Sequence, residues 1–475
     1  MRHKLLLLCG ILIISIHSLL AQSPVEKLNR TVFNRIEYFF NTDQIDSIYS
    51  LASDSFKQSF EQQLFTSSLN QLSSFGKISN PFPITFSQNI AGYNFLIGDA
   101  KFNLELSVDP DYKFNYFALR PNHIAIRENI QSNVTKTNSL DEYIDEIAKS
   151  YLSNPNTKSL AIGVINKSKI NTFFYGQTDV TNKNSLPDGN TLYEIASISK
   201  VFTATLLANL VEKGTITLDD SITRFLPDSV AQNPFLQKIT FKHLANHTSG
   251  LPSLPENLDK VAKFNPKNPY ANYTRRDMFS ALKNMSTKHE PGENFEYSNL
   301  GYGLLGELIA IISKKTYSQN IKDIITDSLG MVNTVEKPNL KTQKIVKVYN
   351  DKGEETPLWD FQAFAGTGAL KSTVHDLLRF AQFQFKLPEN TLENAMMLTR
   401  QFTYYLPPNT DIGLAWHMNM VDDVIQIWHN GGTYGSSSFI GLVPDKKSAI
   451  VILSNSAIPV DDIADKILSK IVNSK

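Results

Sequence analysis

The residues best suited to covalent chemistry are a serine and a lysine three positions apart, within Tyr193-Glu-Ile-Ala-Ser-Ile-Ser-Lys200. The apolar spacing of residues 201–213, ended by Gly214, predicts a helix directly after them. If that helix begins near Ser197, the two side chains lie on one face of its first turn, about 5–6 Å apart at Cβ. A serine hydroxyl needs a base at neutral pH, and a desolvated lysine with a depressed pKa can supply one. Ser197 and Lys200 are therefore a candidate nucleophile and base.

A second candidate pair is Tyr297 and Asn299, which follow Pro291-Gly292 and precede a helix predicted for Leu300–Ile312. A tyrosine with a lowered pKa can carry a proton between a serine and a leaving group. An asparagine can hold a lysine and a substrate amide. A lone Ser-x-x-Lys pair arises by chance, so its meaning depends on companions of this kind.

The third candidate stretch is Trp428-His429-Asn430-Gly431-Gly432, at the end of a strand predicted for Val424–Trp428 and expected to be central in its sheet. Glycine at such a place lets a substrate backbone approach closely. We therefore expect His429, Gly431 and Gly432 to contact substrate. Two turns rich in small residues, 246–252 and 365–372, are interpreted as architectural.

Other hydrolytic chemistries have little support. His243 and His247 are four residues apart and could face one way as metal ligands, but no third ligand with zinc spacing accompanies them. The chain also lacks Gly-x-Ser-x-Gly and His-Glu-x-x-His. No metal and no cofactor is predicted.

The elements around these motifs indicate an α+β domain over residues 140–475. A helix at Leu140–Leu152 and a hairpin of Leu160–Val164 and Asn171–Tyr175 open it. Four strands follow much later, at Leu414–Met420, Val424–Trp428, Ser438–Val443 and Ala449–Leu453, and a helix at Asp461–Ile471 ends the chain. We expect strands from both ends of this domain to form one antiparallel sheet, with the helical middle packed against it.

Residues 24–125 predict a separate small α+β domain, and the polar stretch 126–139 predicts a linker. Helices are expected at Glu26–Phe40, Ser47–Phe56 and Phe60–Ser73, followed by an antiparallel meander. The pattern is similar to that of small cone-shaped modules of the cystatin or nuclear-transport-factor type. It contains no catalytic cluster, and its one histidine, His123, is expected at the surface.

The charge balance and the N-terminal segment indicate which binding partners and which cellular location to expect. Lys+Arg and Asp+Glu both number 46 among 475 residues, so nothing indicates binding to nucleic acid or to an anionic membrane. Residues 1–21 combine a basic start, a short apolar run and Ala21, which predicts a signal peptide and an exported, soluble mature protein. A retained N-terminal anchor is the alternative. The only cysteine, Cys9, lies in this segment, so a mature disulfide is excluded.

Taken together, Ser197-x-x-Lys200, the His247-Thr-Ser-Gly-Leu251 turn, Tyr297-x-Asn299 and His429-x-Gly431 occur in the order typical of one family. From about residue 140 the chain resembles the serine β-lactamase-related family, on the branch of class C β-lactamases, D-alanyl-D-alanine carboxypeptidases, D-aminopeptidases and esterases. About two-thirds of the chain shares this resemblance.

The resemblance implies a β-lactamase/transpeptidase-like fold and an acyl-enzyme formed on Ser197, with acid–base work shared by Lys200 and Tyr297. It implies that Asn299 positions Lys200 and the substrate, and that the amides of Ser197 and Gly432 form an oxyanion hole. His429 stands where most β-lactamases of the family have lysine, which favours a peptidase or esterase acting on a small-molecule or peptide acyl substrate. A penicillin-binding sensor with slow turnover and a non-catalytic scaffold are the alternatives.

Overall fold

The computed structural model describes residues 24–87, 89–98, 100–121, 129–286, 289–421 and 424–473. The predicted signal segment with Cys9, and His123, lie outside the described residues. The chain divides into two compact units, residues 1–123 and 124–475. The domain limits inferred from the sequence at 125 and 139 stay predictions.

The first unit has helices followed by an antiparallel meander. Its helices are α1 (Pro24–Asn41), α2 (Ile45–Ser50), α3 (Asp54–Ser59) and α4 (Gln62–Ser73). Its strands are β1 (Ile78–Ser87), β2 (Ile90–Ile97), β3 (Ala100–Val108) and β4 (Phe114–Pro121), hydrogen-bonded in that order. Helix α1 buries Val32, Phe33, Ile36 and Phe40, as their helical spacing predicts. The small α+β region expected before residue 125 is therefore confirmed.

The single helix predicted for Ser47–Phe56 is wrong, because the chain breaks between α2 and α3. The Ser53 amide donates to the Phe114 carbonyl over 2.9 Å, and the Phe114 amide donates to the Leu51 carbonyl over 2.9 Å. The Ser53 hydroxyl then caps α3 by accepting from the Phe56 amide over 3.2 Å. Pairing with the start of β4 thus outweighs continuation of the helix.

The second unit is built on one antiparallel sheet. The strands of this unit are β5 (Ser159–Asn166), β6 (Lys169–Gly176), β7 (Tyr193–Glu194), β8 (Val348–Tyr349), β9 (Glu355–Thr356), β10 (Lys371–Ser372), β11 (Tyr404–Leu406), β12 (Thr410–Ile412), β13 (His417–Val421), β14 (Val424–Gly432), β15 (Ser437–Val443) and β16 (Ser448–Ser454). Strands β7 and β10 form a separate two-stranded sheet, and so do β8 and β9. Among the described residues, the large sheet has the order β11-β12-β13-β14-β15-β16-β5-β6. Strands β16 and β5 pair along Ser454–Leu160 to Ala449–Ile165, which confirms that the two ends of the domain share a sheet.

Two strand limits differ from those predicted. The strand expected from Leu414 begins only at His417, because Gly413 donates to the Trp416 carbonyl over 2.9 Å and Ala415 has φ of 69°. Strand β14 continues to Gly432 instead of ending at Trp428. His429 therefore lies inside a central strand, paired with Ile440 of β15.

The helices of the second unit are α5 (Ser139–Leu152), α6 (Ser199–Glu212), α7 (Asp228–Ala231), α8 (Phe241–Ala245), α9 (Arg275–Lys283), α10 (Asn299–Ser313), α11 (Tyr317–Asn320), α12 (Asp327–Leu329), α13 (Ala365–Gly368), α14 (Val374–Phe383), α15 (Thr391–Leu398) and α16 (Asp461–Asn473). Helix α6 is buried from Ser199 to Leu210, on every face. A helix enclosed in this way is a rigid carrier for the side chains of its first turn.

No helix among the described residues is long and apolar enough to cross a membrane.

Candidate active site

Ser197 lies in a tight turn that leads into α6. Residues Ala196–Ile198 form a single 3₁₀ turn, and Ala196 adopts φ of 45°, a left-handed conformation that costs energy in a residue other than glycine. Ile195, Ala196 and Ile198 are buried, whereas Ser197 is partly exposed. The turn therefore presents the Ser197 hydroxyl at the edge of an otherwise buried segment.

Lys200 lies beneath that hydroxyl, on the first turn of α6. Its Nζ donates to Ser197 Oγ over 3.0 Å, to Asn299 Oδ1 over 2.9 Å and to the Thr367 carbonyl over 3.0 Å. Lys200 is fully buried, and desolvation lowers its pKa well below the ordinary value. A lysine in this environment is a neutral amine over part of the accessible pH range, which a general base must be.

The Tyr297–Asn299 segment is fixed by the turn at 246–252. Ser298 caps α10 by accepting from the Gly301 amide over 2.9 Å, and its hydroxyl donates to the Pro252 carbonyl over 2.8 Å. The Ser298 amide donates to His247 Nδ1 over 3.0 Å. The His247 ring also packs on the Tyr297 ring, with centroids 4.2 Å apart. The turn interpreted as architectural thus contacts Tyr297 directly and holds Ser298, the residue between Tyr297 and Asn299.

Tyr297 lies above Lys200, whose Nζ is 4.8 Å from the centre of its ring. Desolvation raises the pKa of Tyr297, and the side-chain interaction with Ser197 only partly opposes this. Burial thus shifts the pKa of Tyr297 in the direction opposite to the lowered pKa considered from the sequence. A phenol that keeps its proton suits proton donation to a leaving group better than proton abstraction.

Strand β14 brings Gly431 against the Ser197 turn. A Cβ on Gly431 would lie 2.5 Å from the Ile195 carbonyl oxygen and 2.9 Å from the Ser197 amide nitrogen. Ser438 Oγ joins the two segments by donating to the Ile195 carbonyl over 2.9 Å. Gly432, the next residue, is exposed, and a Cβ there would be 3.9 Å from its nearest neighbour. The close approach of β14 to the Ser197 turn therefore requires glycine at position 431. Gly432 is the exposed last residue of β14.

His429 is fully buried and has a defined tautomer. Its Nδ1 lies 2.5 Å from the Asn430 carbonyl oxygen, and because a carbonyl only accepts, Nδ1 carries the proton. Nε2 then holds a lone pair, and it is a buried atom for which no partner occurs among the described residues. Desolvation, together with the nearby His417 and Lys200, lowers its pKa well below the ordinary value. His429 is therefore neutral and presents an acceptor.

His417 and Tyr270 are neighbours of the site that the motifs do not include. The His417 ring stacks on Trp428 with centroids 4.6 Å apart and contacts the His429 ring at 5.6 Å. Burial raises the pKa of Tyr270 to about 12, and interaction of its hydroxyl with the Asn299 side chain opposes this. The alternation of β13 could have indicated His417, whereas Tyr270 lies in a loop without a readable pattern.

Within the part of the chain that the structure describes, no group of three His, Cys, Asp or Glu side chains could hold a metal ion. His243 and His247 each hold backbone instead: His243 Nδ1 accepts from the Thr240 amide over 3.3 Å, and His247 Nδ1 accepts from the Ser298 amide over 3.0 Å.

Most of the chain is similar to known proteins. A family model described as beta-lactamase matches residues 141–473. Protein flp of Staphylococcus aureus strain MW2 is 29% identical over 354 residues, which cover 71% of this chain and 68% of that protein. A beta-lactamase of Psychrobacter immobilis is 24% identical, over 67% of this chain and 84% of that protein.

Among solved structures, a beta-lactamase/D-alanine carboxypeptidase from Pseudomonas syringae shares the fold, with a TM-score of 0.63 at 23% identity over 71% of this chain and 100% of that one. A class C beta-lactamase gives a TM-score of 0.63 at 23% identity, over 70% of this chain and 96% of that one. The family match spans more than half of the sequence. The chain therefore belongs to the beta-lactamase family of serine hydrolases.

Proposed function

We propose that the protein is an exported hydrolase that cleaves an amide or ester bond through an acyl-enzyme on Ser197. The observation that carries the proposal is the 3.0 Å contact between Ser197 Oγ and the Nζ of Lys200, a buried lysine whose pKa is depressed. This contact joins a partly exposed hydroxyl to a base that is available below the ordinary lysine pKa.

Acylation begins when Ser197 Oγ attacks the substrate carbonyl carbon and its proton passes to Lys200 Nζ. Tyr297, which keeps its proton, protonates the leaving group as the carbonyl–leaving group bond breaks. Transfer of the proton from Lys200 to Tyr297 restores both residues. Attack of water on the acyl-enzyme, with a proton again taken and returned by these groups, releases the acid and Ser197.

The remaining candidates hold the reacting groups in place. Asn299 accepts from Lys200 over 2.9 Å and so keeps the amine directed at Ser197. The backbone amides of Ser197 and Gly432 donate to the oxyanion, where loss of one such donor typically costs about 10²–10³ in rate. Gly431 permits the two amides to approach each other because it adds no side chain between them.

His429 supports a peptidase or esterase activity rather than efficient β-lactam hydrolysis. A lysine at this place would be a cation able to hold the carboxylate of a β-lactam. The buried, neutral imidazole lacks that charge and offers a lone pair on Nε2 instead. An acceptor disfavours a carboxylate and tolerates an amide or ester group.

Intact-mass spectrometry tests the proposal. The mature protein and Ser197→Ala are mixed separately with a penicillin, a D-alanyl-D-alanine peptide and a p-nitrophenyl short-chain ester. We expect turnover of the peptide or the ester, with a transient adduct that requires Ser197, and slow reaction with penicillin. A stable penicillin adduct without turnover of the other two would support a sensor instead. Equal behaviour of the parent and Ser197→Ala with all three would contradict the proposal.

Export is proposed from residues 1–21 alone. N-terminal sequencing of protein recovered from outside the cytoplasm tests it, and we expect the chain to begin at Gln22. A recovered chain that still begins at Met1 would favour the retained anchor.

A further inference from the structure

Glu194 is a buried carboxylate that the proposed reaction does not use. It lies in β7, three residues before Ser197, and is 1% exposed. Its oxygens accept from the Trp359 amide over 2.6 Å, from Thr433 Oγ1 over 2.7 Å and from Ser436 Oγ over 3.0 Å. Three donors converge on one carboxylate, and hydrogen bonds of this kind favour its ionised form.

Two of those donors belong to the turn between β14 and β15. Thr433 directly follows Gly432, and its amide donates to the Ser436 carbonyl over 3.0 Å to close the turn. Thr433 Oγ1 also accepts from the Gly435 amide over 3.2 Å. Glu194 therefore holds both ends of this turn, because it accepts from the Thr433 and Ser436 hydroxyls. The turn directly follows Gly432, the last residue of β14.

Glu194 is also close to the nucleophile Ser197 along the chain. Only Ile195 and Ala196 separate it from Ser197, and both are buried. One carboxylate thus connects the turn that carries the Ser197 amide to the turn that follows the Gly432 amide. These are the two backbone donors of the proposed oxyanion hole.

A buried lysine completes the arrangement. Lys371 Nζ donates to the Trp359 carbonyl over 3.0 Å and to the Ala369 carbonyl over 3.2 Å. The backbone of Trp359 is therefore held at its amide by Glu194 and at its carbonyl by Lys371. Burial raises the pKa of Glu194, and the positive charge of Lys371 opposes this.

We propose that Glu194 is a positioning residue that fixes the Gly432 amide relative to the Ser197 amide, and so aligns the oxyanion hole. The proposal rests on the proposed acyl transfer at Ser197. It predicts a defect in the transition state, because the oxyanion forms only there.

Glu194→Gln tests the inference with little change in shape. The amide group of glutamine would replace one acceptor oxygen with a donor that faces other donors. With p-nitrophenyl acetate we expect kcat to fall about 10- to 100-fold and KM to change less than about threefold, since the lost interaction acts in the transition state.

Comparison with a matched thionoester distinguishes a misaligned oxyanion hole from a lower folded fraction. Sulfur accepts hydrogen bonds from amides poorly, so an oxyanion hole accelerates the ester more than the thionoester. Glu194→Gln should therefore lower the ratio of ester to thionoester rates. A variant that merely reduces the folded fraction lowers both rates equally and leaves the ratio unchanged.

Glu336→Gln is the control. Glu336 is a partly buried carboxylate whose charge also acts on Lys371, but the donors of the 433–436 turn contact Glu194. We expect Glu336→Gln to keep the parental ratio of ester to thionoester rates. An equal fall of the ratio in both variants would overturn the inference, because it would assign the effect to charge near Lys371.

Hydrogen exchange supplies a readout that does not depend on turnover. Amides of residues 431–436 should exchange at least about tenfold faster in Glu194→Gln than in the parent and in Glu336→Gln, because local opening becomes easier. A parent without Ser197-dependent turnover would overturn the proposed function, while unchanged exchange and unchanged rate ratio in Glu194→Gln would overturn this inference. If Glu194→Gln fails to fold, Thr433→Val should show both effects and Thr433→Ser should restore the parental values. Parental behaviour of Thr433→Val would contradict the inference.

Discussion

Gly431 is packed against the backbone of Ser197, so that a Cβ at position 431 would lie 2.9 Å from the Ser197 amide nitrogen. The same Cβ would be 2.5 Å from the Ile195 carbonyl oxygen. Both neighbours are backbone atoms of a turn whose Ala196 already has φ of 45°. Strand β14 and the nucleophile turn therefore fit together only without a side chain at 431.

Gly431→Ala should separate these two segments. We expect the ester hydrolysis rate to fall at least about 100-fold, as for loss of an oxyanion donor, and the free energy of unfolding to fall by about 1–3 kcal/mol. Stopped-flow acylation and thermal unfolding measure the two effects. Gly432→Ala is the matched control for stability, because its Cβ would be 3.9 Å from the nearest atom, and its melting temperature should stay near that of the parent.

Candidate site residues could be grouped from the sequence wherever neighbours in space are also neighbours in a short motif. Ser197 and Lys200 share one helical turn, and the pattern of apolar residues predicted that turn and the strands of both chain ends. Tyr270 and Glu194 could not be predicted to act there. Tyr270 reaches Asn299 from a loop without periodicity, and the Glu194 donors are 165 to 242 residues away along the chain. Such contacts depend on tertiary packing, which local spacing does not encode.

We expect Lys200→Met to lower the acylation rate without lowering the stability of the folded protein. Removal of the base should lower the acylation rate about 10²–10⁴-fold. The free energy of unfolding at pH 7 should stay equal or increase, because an unfolded lysine binds a proton that the buried Lys200 binds less readily. Acylation kinetics and denaturant unfolding measure the two effects.

The control for Lys200→Met is Lys213→Met, at the exposed end of the same helix, which should leave both quantities unchanged. In the parent, acylation should rise with pH through the depressed pKa of Lys200 and then level off. A marked loss of stability in Lys200→Met at pH 7 would contradict a desolvated, weakly protonated amine.

His417 should make the folded protein sensitive to acid. Burial lowers its pKa to about 4, from about 6.5 in an unfolded chain. As the pH falls from 6.5 to 4, the unfolded state takes up a proton that the folded state does not, so stability is lost over this range, by up to about 3 kcal/mol. His417→Phe keeps an aromatic ring against Trp428 and removes this titration. Denaturant unfolding at pH 4.5 and pH 7 should show a smaller difference in the variant than in the parent. Equal differences would show that other groups dominate acid unfolding.

Tyr270→Phe should weaken the hold on Asn299 while the ring remains stacked on Phe364, with centroids 4.4 Å apart. Loss of a polar interaction of this kind is worth about 1 kcal/mol, so we expect kcat/KM to fall about fivefold. Tyr273→Phe is the control, since the Tyr273 hydroxyl donates to Asn257 Oδ1 over 2.7 Å and not to Asn299. We expect Tyr273→Phe to be less stable than the parent and to keep the parental kcat/KM. Equal rate losses in both variants would indicate loosening of the loop instead of a specific contact.

His429→Lys should change both the selectivity and the pH dependence of the enzyme. In the parent, desolvation lowers the pKa of His429 well below its ordinary value, so it should add no step to the acylation profile near the ordinary histidine pKa. A second cation near Lys200 disfavours protonation of Lys200, which should move the rise in acylation rate to lower pH. It should also favour penicillin, which carries a carboxylate, over the uncharged p-nitrophenyl ester by at least about tenfold. Acylation rates with both reagents from pH 5 to 10 measure the two effects. Superimposable profiles and an unchanged preference would show that residue 429 has no electrostatic influence on the site.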